Sequence, residues 1–222
     1  VKKAMDKVVT ALQAAGVTVE ELQPPVDPME TYKLYLRYLG RFTKMYLPKQ
    51  QRRNAKRGRA KDSFPADIRS PFWEIDHSAV KGLPEGTEEA YEEAANTWDE
   101  YLKKHYDAVI CPIFPCEAWP NASQPKDMLS DAKVLSRKLV VDGEERYYGD
   151  ALFWPHLSVL LGLPATGFPV GFTQPIHKDG PCLPVGLQAM GAKGNDFIVL
   201  DVVQKLMEAL GSNHFQPPPG FA

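Results

Sequence analysis

The sequence contains little cysteine and no excess of charge of either sign. Three cysteines in 222 residues are too few for a disulfide-stapled scaffold, so we expect a reducing compartment, the cytoplasm. The 26 Lys and Arg residues are balanced by 28 Asp and Glu, which excludes a strongly basic nucleic-acid-binding domain. No basic segment followed by a short apolar core is present, so no signal peptide is expected. Because the chain begins with Val1 rather than Met, we expect it to derive from something longer.

An uninterrupted membrane-spanning segment is also missing. Residues 151–176 contain no Asp, Glu, Lys or Arg and would be long enough to cross a bilayer. A lipid-exposed helix could not satisfy the backbone hydrogen bonds broken by its prolines and glycines, so we predict a buried helix, loop and strand and no membrane contact. The interrupting residues are Pro155, Gly162, Pro164, Gly167, Pro169, Gly171 and Pro175.

One stretch is strongly basic. Residues 44–61 carry eight Lys or Arg and no acidic residue. The run could contact an anionic partner, or it could be the solvated face of a helix. We favour the solvated face because neither interleaved aromatic residues nor a glycine-rich loop accompanies the charge.

Helical and strand patterns alternate along the chain. Apolar residues follow helical spacing from Met5 to Leu12, and Asp27-Pro28 begins a second helix whose apolar stripe would reach Phe42 and Tyr46. The alternation predicts an α/β fold with a largely buried sheet. The other predicted elements are a strand over 17–22, a helix capped by Thr87, a strand over 107–114, a hairpin over 138–148, a helix over 152–161, strands over 165–170 and 183–190, a helix capped by Asn195, and an extended tail over 212–222.

Common catalytic and metal-binding motifs are absent. The sequence has no Gly-x-Ser-x-Gly elbow, phosphate-binding loop or His-Glu-x-x-His motif, and its five histidines lack metal-ligand spacing. We therefore expect no metal and no organic cofactor. Cys111 or Cys116 could pair with His156 as a nucleophile and base, but a small buried thiol is the simpler interpretation.

Four short motifs follow one another in the second half of the chain. They are Asp107–Pro112 (DAVICP), Gly162–Ala165 (GLPA), Phe168–Gly171 (FPVG) and Leu183–Gln188 (LPVGLQ). Their order and spacing resemble those of the amidase signature family of serine amidases, and the opening segment 8–25 is similar to a unit of the same family. The resemblance implies part of a mixed β-sheet flanked by helices, corresponding to the C-terminal half of an amidase, over residues 1–222.

The resemblance also implies which part of the enzyme is missing. The family hydrolyses amides with a Ser–Ser–Lys triad held in a Gly- and Ser-rich loop, and this sequence contains neither a Gly-Gly nor a Ser-Ser pair. The motif positions of the triad lie upstream of the unit that opens this chain, so no catalytic residue is assigned. Where many members have Asn, three residues before the glycine of Gly-Leu-Pro-Ala, this chain has Val159.

Within that resemblance, we expect the chain to contribute sheet strands and part of a substrate pocket. Ile113 and Phe114 come just after the strand that begins at Asp107, and Phe153 and Trp154 precede Gly162. All four suit an apolar or aromatic substrate group, although ordinary core packing would explain them equally well. The implied partners are an N-terminal amidase half and a small-molecule amide, and unpaired strand edges would also allow pairing with a second copy. The alternative is a non-catalytic, amidase-like module that binds a partner.

Overall fold

The computed structural model describes residues 1–43, 78, 81–118, 138–174 and 182–211. Residue contacts divide the chain into two compact units. The first comprises Val1–Gln23, Tyr101–Ala118 and Leu163–Ala222, and the second comprises Pro24–Glu100 and Trp119–Gly162. Among the described residues, no helix is both long and apolar enough to cross a membrane.

The described elements alternate between helices and short strands. In chain order they are α1 (Lys2–Ala14), α2 (Pro28–Thr43), α3 (Thr87–His105), β1 (Val109–Pro112), β2 (Lys138–Val141), β3 (Glu144–Tyr147), a 3₁₀ helix (Tyr148–Leu152), α4 (His156–Leu161), β4 (Ala165–Phe172), β5 (Pro184–Met190) and α5 (Asp196–Ala209). The α/β class predicted from the sequence is thus confirmed.

The first unit is built on a three-stranded sheet in the order β1–β5–β4, with both pairings antiparallel. Gln188 in the central strand lies opposite Cys111 on one side and Gly167 on the other. The register shifts between Pro169 and Gly171, which forms a bulge in β4. Lys7 of α1 donates from Nζ to the carbonyl oxygen of Val170 at 2.9 Å, so a polar group at this irregularity has a partner.

Helices α1 and α5 cover one face of this sheet. Strand side chains alternate between faces, so the residues of β4 and β5 that point towards the helices form one apolar layer. Full burial of each Val, Leu or Phe side chain in this layer contributes roughly 1.5–3 kcal/mol. The shared core contains Val8, Leu12, Phe168, Val170, Leu187, Ala189, Val199, Val203 and Leu206.

The second unit contains α2, most of α3, the β2–β3 hairpin, the 3₁₀ helix and α4. The hairpin turns at Asp142 and Gly143, both with positive φ, as the Asp-Gly pair predicts. Tyr32 of α2 donates a hydrogen bond of 3.0 Å to the carbonyl oxygen of Gly149 in the 3₁₀ helix. Gly162 ends α4 in the left-handed region, with φ 65°.

Several local predictions were wrong. Residues 17–22 form no strand, because Val19 packs on the apolar core while the segment has no ladder partner among the described strands. Phe42 is 60% exposed, so the apolar stripe of α2 ends before it. Thr87 is the first helical residue rather than the cap, and its buried hydroxyl has no hydrogen-bond partner in the described part of the chain.

Other local predictions were confirmed in whole or in part, or concern residues outside the described part of the chain. Asp27 accepts a hydrogen bond from the backbone N–H of Met29 at 2.8 Å, as expected of a helix cap. Asn195 occupies the cap position of α5, but its side chain makes no capping hydrogen bond. Tyr46, the basic run 44–61 and the tail over 212–222 lie outside the described residues.

Candidate functional site

The first candidate surface lies where β1 leaves the sheet. Ile113 follows the last residue of β1, and its Cδ1 atom lies over two glycines of the neighbouring strands. A Cβ atom placed on Gly167 would lie 3.3 Å from that methyl group, and one on Gly186 would lie 3.7 Å from it. A side chain at position 167 would crowd Ile113, so the glycine there allows Ile113 to pack closely against the sheet. Phe114, the next residue, is 40% exposed.

A buried glutamine fixes the end of β1. Gln188, only 5% exposed, donates from Nε2 to the carbonyl oxygen of Pro112 at 3.0 Å and to Sγ of Cys111 at 3.4 Å. Pro112 immediately precedes Ile113, so these bonds hold the backbone at the point where the chain leaves the sheet. The arrangement ties the position of Ile113 to the central strand.

The two faces of β4 differ sharply. Phe168 and Val170 point into the helix-covered core and are each 3% exposed. Ala165, Gly167 and Pro169, which alternate with them, are exposed. The second face of β4 therefore presents backbone and very small side chains to solvent, next to Ile113. Such a strand surface allows a ligand or another backbone to approach closely.

The other two predicted wall residues lie in the second unit, within an aromatic cluster. Phe153 and Trp154 occupy the turn before α4, with ring centroids 5.5 Å apart and planes at 82°. Phe153 also packs against Tyr32 at 5.5 Å and His156 at 5.4 Å. The ring of Tyr35 lies 6.0 Å from that of His156, and burial raises the pKa of the Tyr35 hydroxyl. Tyr32 and His156 form the buried part of the cluster, whereas Tyr35, Phe153 and Trp154 are half-buried.

His156 is held by both ring nitrogens. Nδ1 donates to the carbonyl oxygen of Phe153, and a carbonyl oxygen can only accept, so Nε2 of the neutral ring is free to accept. Nε2 lies 3.0 Å from the hydroxyl of Thr31 on α2. Burial lowers the pKa of His156 to about 4, although the hydrogen bond to Phe153 opposes this shift. At neutral pH His156 is an uncharged residue that joins α2 to α4.

These environments argue against a Cys–His nucleophile pair. Burial raises the pKa of the Cys111 thiol to about 12, despite the stabilising hydrogen bond from Gln188. Burial also raises the pKa of Cys116, with Glu117 adding to the effect. His156, with its lowered pKa and both nitrogens engaged, is a poor base at neutral pH. The three thiols are free, and the described residues contain no group of His, Cys, Asp and Glu side chains that could hold a metal ion.

A comparison with protein families decides the relationship. A family model described as Amidase matches residues 1–200. The chain belongs to the Amidase family. Amidases, as a family, hydrolyse carbon–nitrogen amide bonds. No curated protein matches the chain.

A comparison with solved structures supports the amidase fold. One matching chain comes from an inhibitor-bound, vestigial protein complex that bears on the evolutionary origins of an s-triazine catabolic enzyme. It has a TM-score of 0.57 and 15% identity, which establishes likeness of fold alone. The match covers 94% of this chain and 39% of that chain, so this chain spans well under half of the other's length.

The structure thus distributes the four predicted wall residues between two units. Ile113 and Phe114 lie at the end of β1 in the first unit, and Phe153 and Trp154 lie beside α4 in the second. Sequence reasoning quoted Gln188 within a motif without giving it a role. It missed Thr31, whose partner His156 is separated from it by 125 positions, so no local pattern could have indicated the contact.

Proposed function

We propose that this chain is the C-terminal portion of a serine amidase that hydrolyses a small-molecule amide. In this proposal it contributes sheet strands and part of the substrate pocket, while an N-terminal half supplies the Ser–Ser–Lys triad. The family match supports the reaction, and the 39% coverage of the structural neighbour supports a larger whole. Three free cysteines favour a cytoplasmic location, which cell fractionation would check.

The observation that best supports this role is the arrangement of the family motifs around one sheet. Gly167 and Gly186 lie on neighbouring strands, and Gln188 fixes the end of β1 beside Ile113. The result is an exposed strand surface bordered by an aliphatic side chain. A surface of this kind suits the acyl part of an amide, because it is apolar and open to close approach.

In the reaction, the nucleophilic serine would attack the amide carbonyl, form an acyl-enzyme and release the amine, and water would then free the acid. This chain would bind and orient the acyl group during both steps. The described part of the chain offers no activated nucleophile of its own. Ser158 donates to the carbonyl oxygen of Pro155 at 3.2 Å, and Ser78 is fully buried. Because the proposal assigns the triad to the N-terminal half, we expect the isolated chain to be inactive.

Complementation tests this proposal. The chain is coexpressed with an N-terminal amidase segment that carries the Ser–Ser–Lys loop, and amide hydrolysis is assayed over a broad panel. We expect the associated pair to hydrolyse at least one small amide, and a fluorophosphonate to label the N-terminal segment. A well-folded pair without activity would refute the amidase role. Labelling of a serine within this chain would refute the division of labour.

A second candidate is a non-catalytic, partner-binding module. It is favoured by the description of the structural neighbour as part of a vestigial protein complex, and by the unpaired outer edges of β1 and β4 in the described sheet. An open reading frame that continues upstream through a Gly- and Ser-rich loop would refute it. Sedimentation of the isolated chain tests the related expectation of self-association. A clean, protease-resistant monomer would contradict that expectation.

A further inference from the structure

The close packing of Ile113 on a pair of glycines has a consequence for the choice of substrate. Gly167 and Gly186 are diagonal neighbours across β4 and β5, on the same face as Gln188. The Cδ1 methyl of Ile113 would be in ordinary contact with a Cβ atom on Gly186 and closer than ordinary contact to one on Gly167. No ligand atom can pass between Ile113 and this strip, so Ile113 borders the exposed surface of β4 on the side of β5.

We propose that Ile113 limits the size of the acyl group that this amidase accepts, and that Gln188 positions Ile113 over the glycines. The inference rests on the proposed function and extends it to substrate class: small, unbranched aliphatic amides. Ile113 packs over part of Gly167 and Gly186, and the exposed surface of β4 beside it remains for the substrate. A branched or aromatic acyl group would need the volume that Ile113 occupies.

The hydrogen bonds of Gln188 explain why Ile113 stays in place. Ile113 is only half-buried, and it follows the final residue of a short edge strand. Such a position would ordinarily be mobile. The bond from Gln188 to the carbonyl oxygen of Pro112 fixes the preceding residue. Because Gln188 is buried on the central strand and acts through Ile113, we assign it a positioning role.

Ligand binding to the full chain tests the inference without requiring hydrolysis. The chain is prepared with labelled isoleucine methyl and backbone amide groups and titrated with acetamide and isobutyramide, followed by NMR. In the parent, acetamide should shift the Ile113 methyl and the Gly167 amide, and isobutyramide should bind more weakly. In Ile113→Ala, we expect the ratio of the two dissociation constants to move by about tenfold in favour of isobutyramide.

The controls separate size selection from general damage. Ile113→Val removes a single methyl group and should move the ratio in the same direction by less. Phe172→Ala changes a 73% exposed side chain at the end of the same strand and should leave the ratio unchanged. An unchanged ratio in both Ile113 variants, or amide-induced shifts that avoid Gly167 and Gly186, would overturn the inference.

Gln188→Met, similar in length but without the donor, tests the positioning role. A merely structural effect would weaken the binding of both amides alike. Loss of positioning should instead move the Ile113 methyl resonance towards its conformationally averaged chemical shift and reduce the preference for acetamide. A Gln188→Met chain that keeps the parental ratio would refute that role. The complementation assay remains separate: absence of hydrolysis bears on the proposed function, while the binding ratio bears on Ile113.

Discussion

The buried bond between Thr31 and His156 predicts how the second unit responds to acid. His156 is 1% exposed, and burial lowers its pKa from the ordinary 6.5 to about 4. The unfolded chain therefore takes up a proton as the pH falls through 6.5, whereas the folded chain does not until about pH 4. Folding stability is fully present above the unfolded pKa and is lost as the pH falls between these values.

The pKa difference sets the size of the effect. Each unit of pKa difference corresponds to about 1.4 kcal/mol, so His156 alone should remove roughly 2 kcal/mol by pH 5 and about 3 kcal/mol by pH 4. The protonated ring would still find hydrogen-bond partners. Nε2 could donate to the Thr31 hydroxyl, which itself lies 3.0 Å from the carbonyl oxygen of Pro28. The penalty therefore arises from loss of solvation rather than from broken hydrogen bonds.

Urea denaturation near neutral pH and at about pH 5 measures the effect by comparison with His156→Gln. Carboxyl groups also titrate in acid, so the informative quantity is the difference between parent and variant. The variant should be less stable at neutral pH but lose about 2 kcal/mol less on acidification. Val159→Ala, a 67% exposed change on the same helix, is the matched control and should follow the parent. Equal acid dependence in His156→Gln and the parent would refute the reasoning.

Three further predictions concern single residues. A Cβ atom on Gly191 would lie 2.5 Å from Cγ2 of Val199, so Gly191→Ala should lower the free energy of unfolding by about 1–3 kcal/mol in urea denaturation. In a Val199→Ala background the same substitution should cost clearly less, and additive effects of the two substitutions would contradict the steric explanation. Iodoacetamide should modify the exposed Cys182 well before the buried Cys111, because burial raises the pKa of the Cys111 thiol to about 12. Mass spectrometry of the Cys182→Ser variant should show no rapid labelling, and rapid modification of Cys111 would be inconsistent with its burial. Gly162→Ala should lower the free energy of unfolding by about 1–2 kcal/mol, because the φ angle of Gly162 is 65°. An unchanged free energy of unfolding in urea denaturation would contradict this expectation.

Local patterns predicted most helices and the hairpin correctly. A proline at the first turn, a positive-φ glycine after the last turn and an Asp-Gly turn act through the backbone of adjacent residues, so their signal is contained in the sequence. The same logic failed at residues 17–22. Alternation of Val17, Thr18 and Val19 is typical of a half-buried strand, but an extended segment anchored by Val19 produces the same pattern without a pairing partner.

The candidate site was less predictable, because its defining contacts are long-range. The motif order indicated that Ile113 follows one strand and that Gly167 and Gly186 lie in others, but only the strand register shows that the two glycines share a face beneath Ile113. Gln188 could be quoted as part of a motif, whereas its hydrogen bond to Pro112 depends on pairing across 76 positions. A sequence pattern predicts which face a strand residue occupies far better than which side chain meets it there.

The exposed face of β4 also separates the two candidate functions. If it receives an acyl group, it must stay accessible to small molecules after an N-terminal half docks. If the chain is instead a partner-binding module, the same surface of Ala165, Gly167 and Pro169 is well suited to be covered, because its small side chains allow another backbone to approach closely. In the associated pair, the Gly167 amide should therefore still shift on addition of acetamide if the chain serves an enzyme. Loss of that response on docking, without hydrolysis, would favour the module.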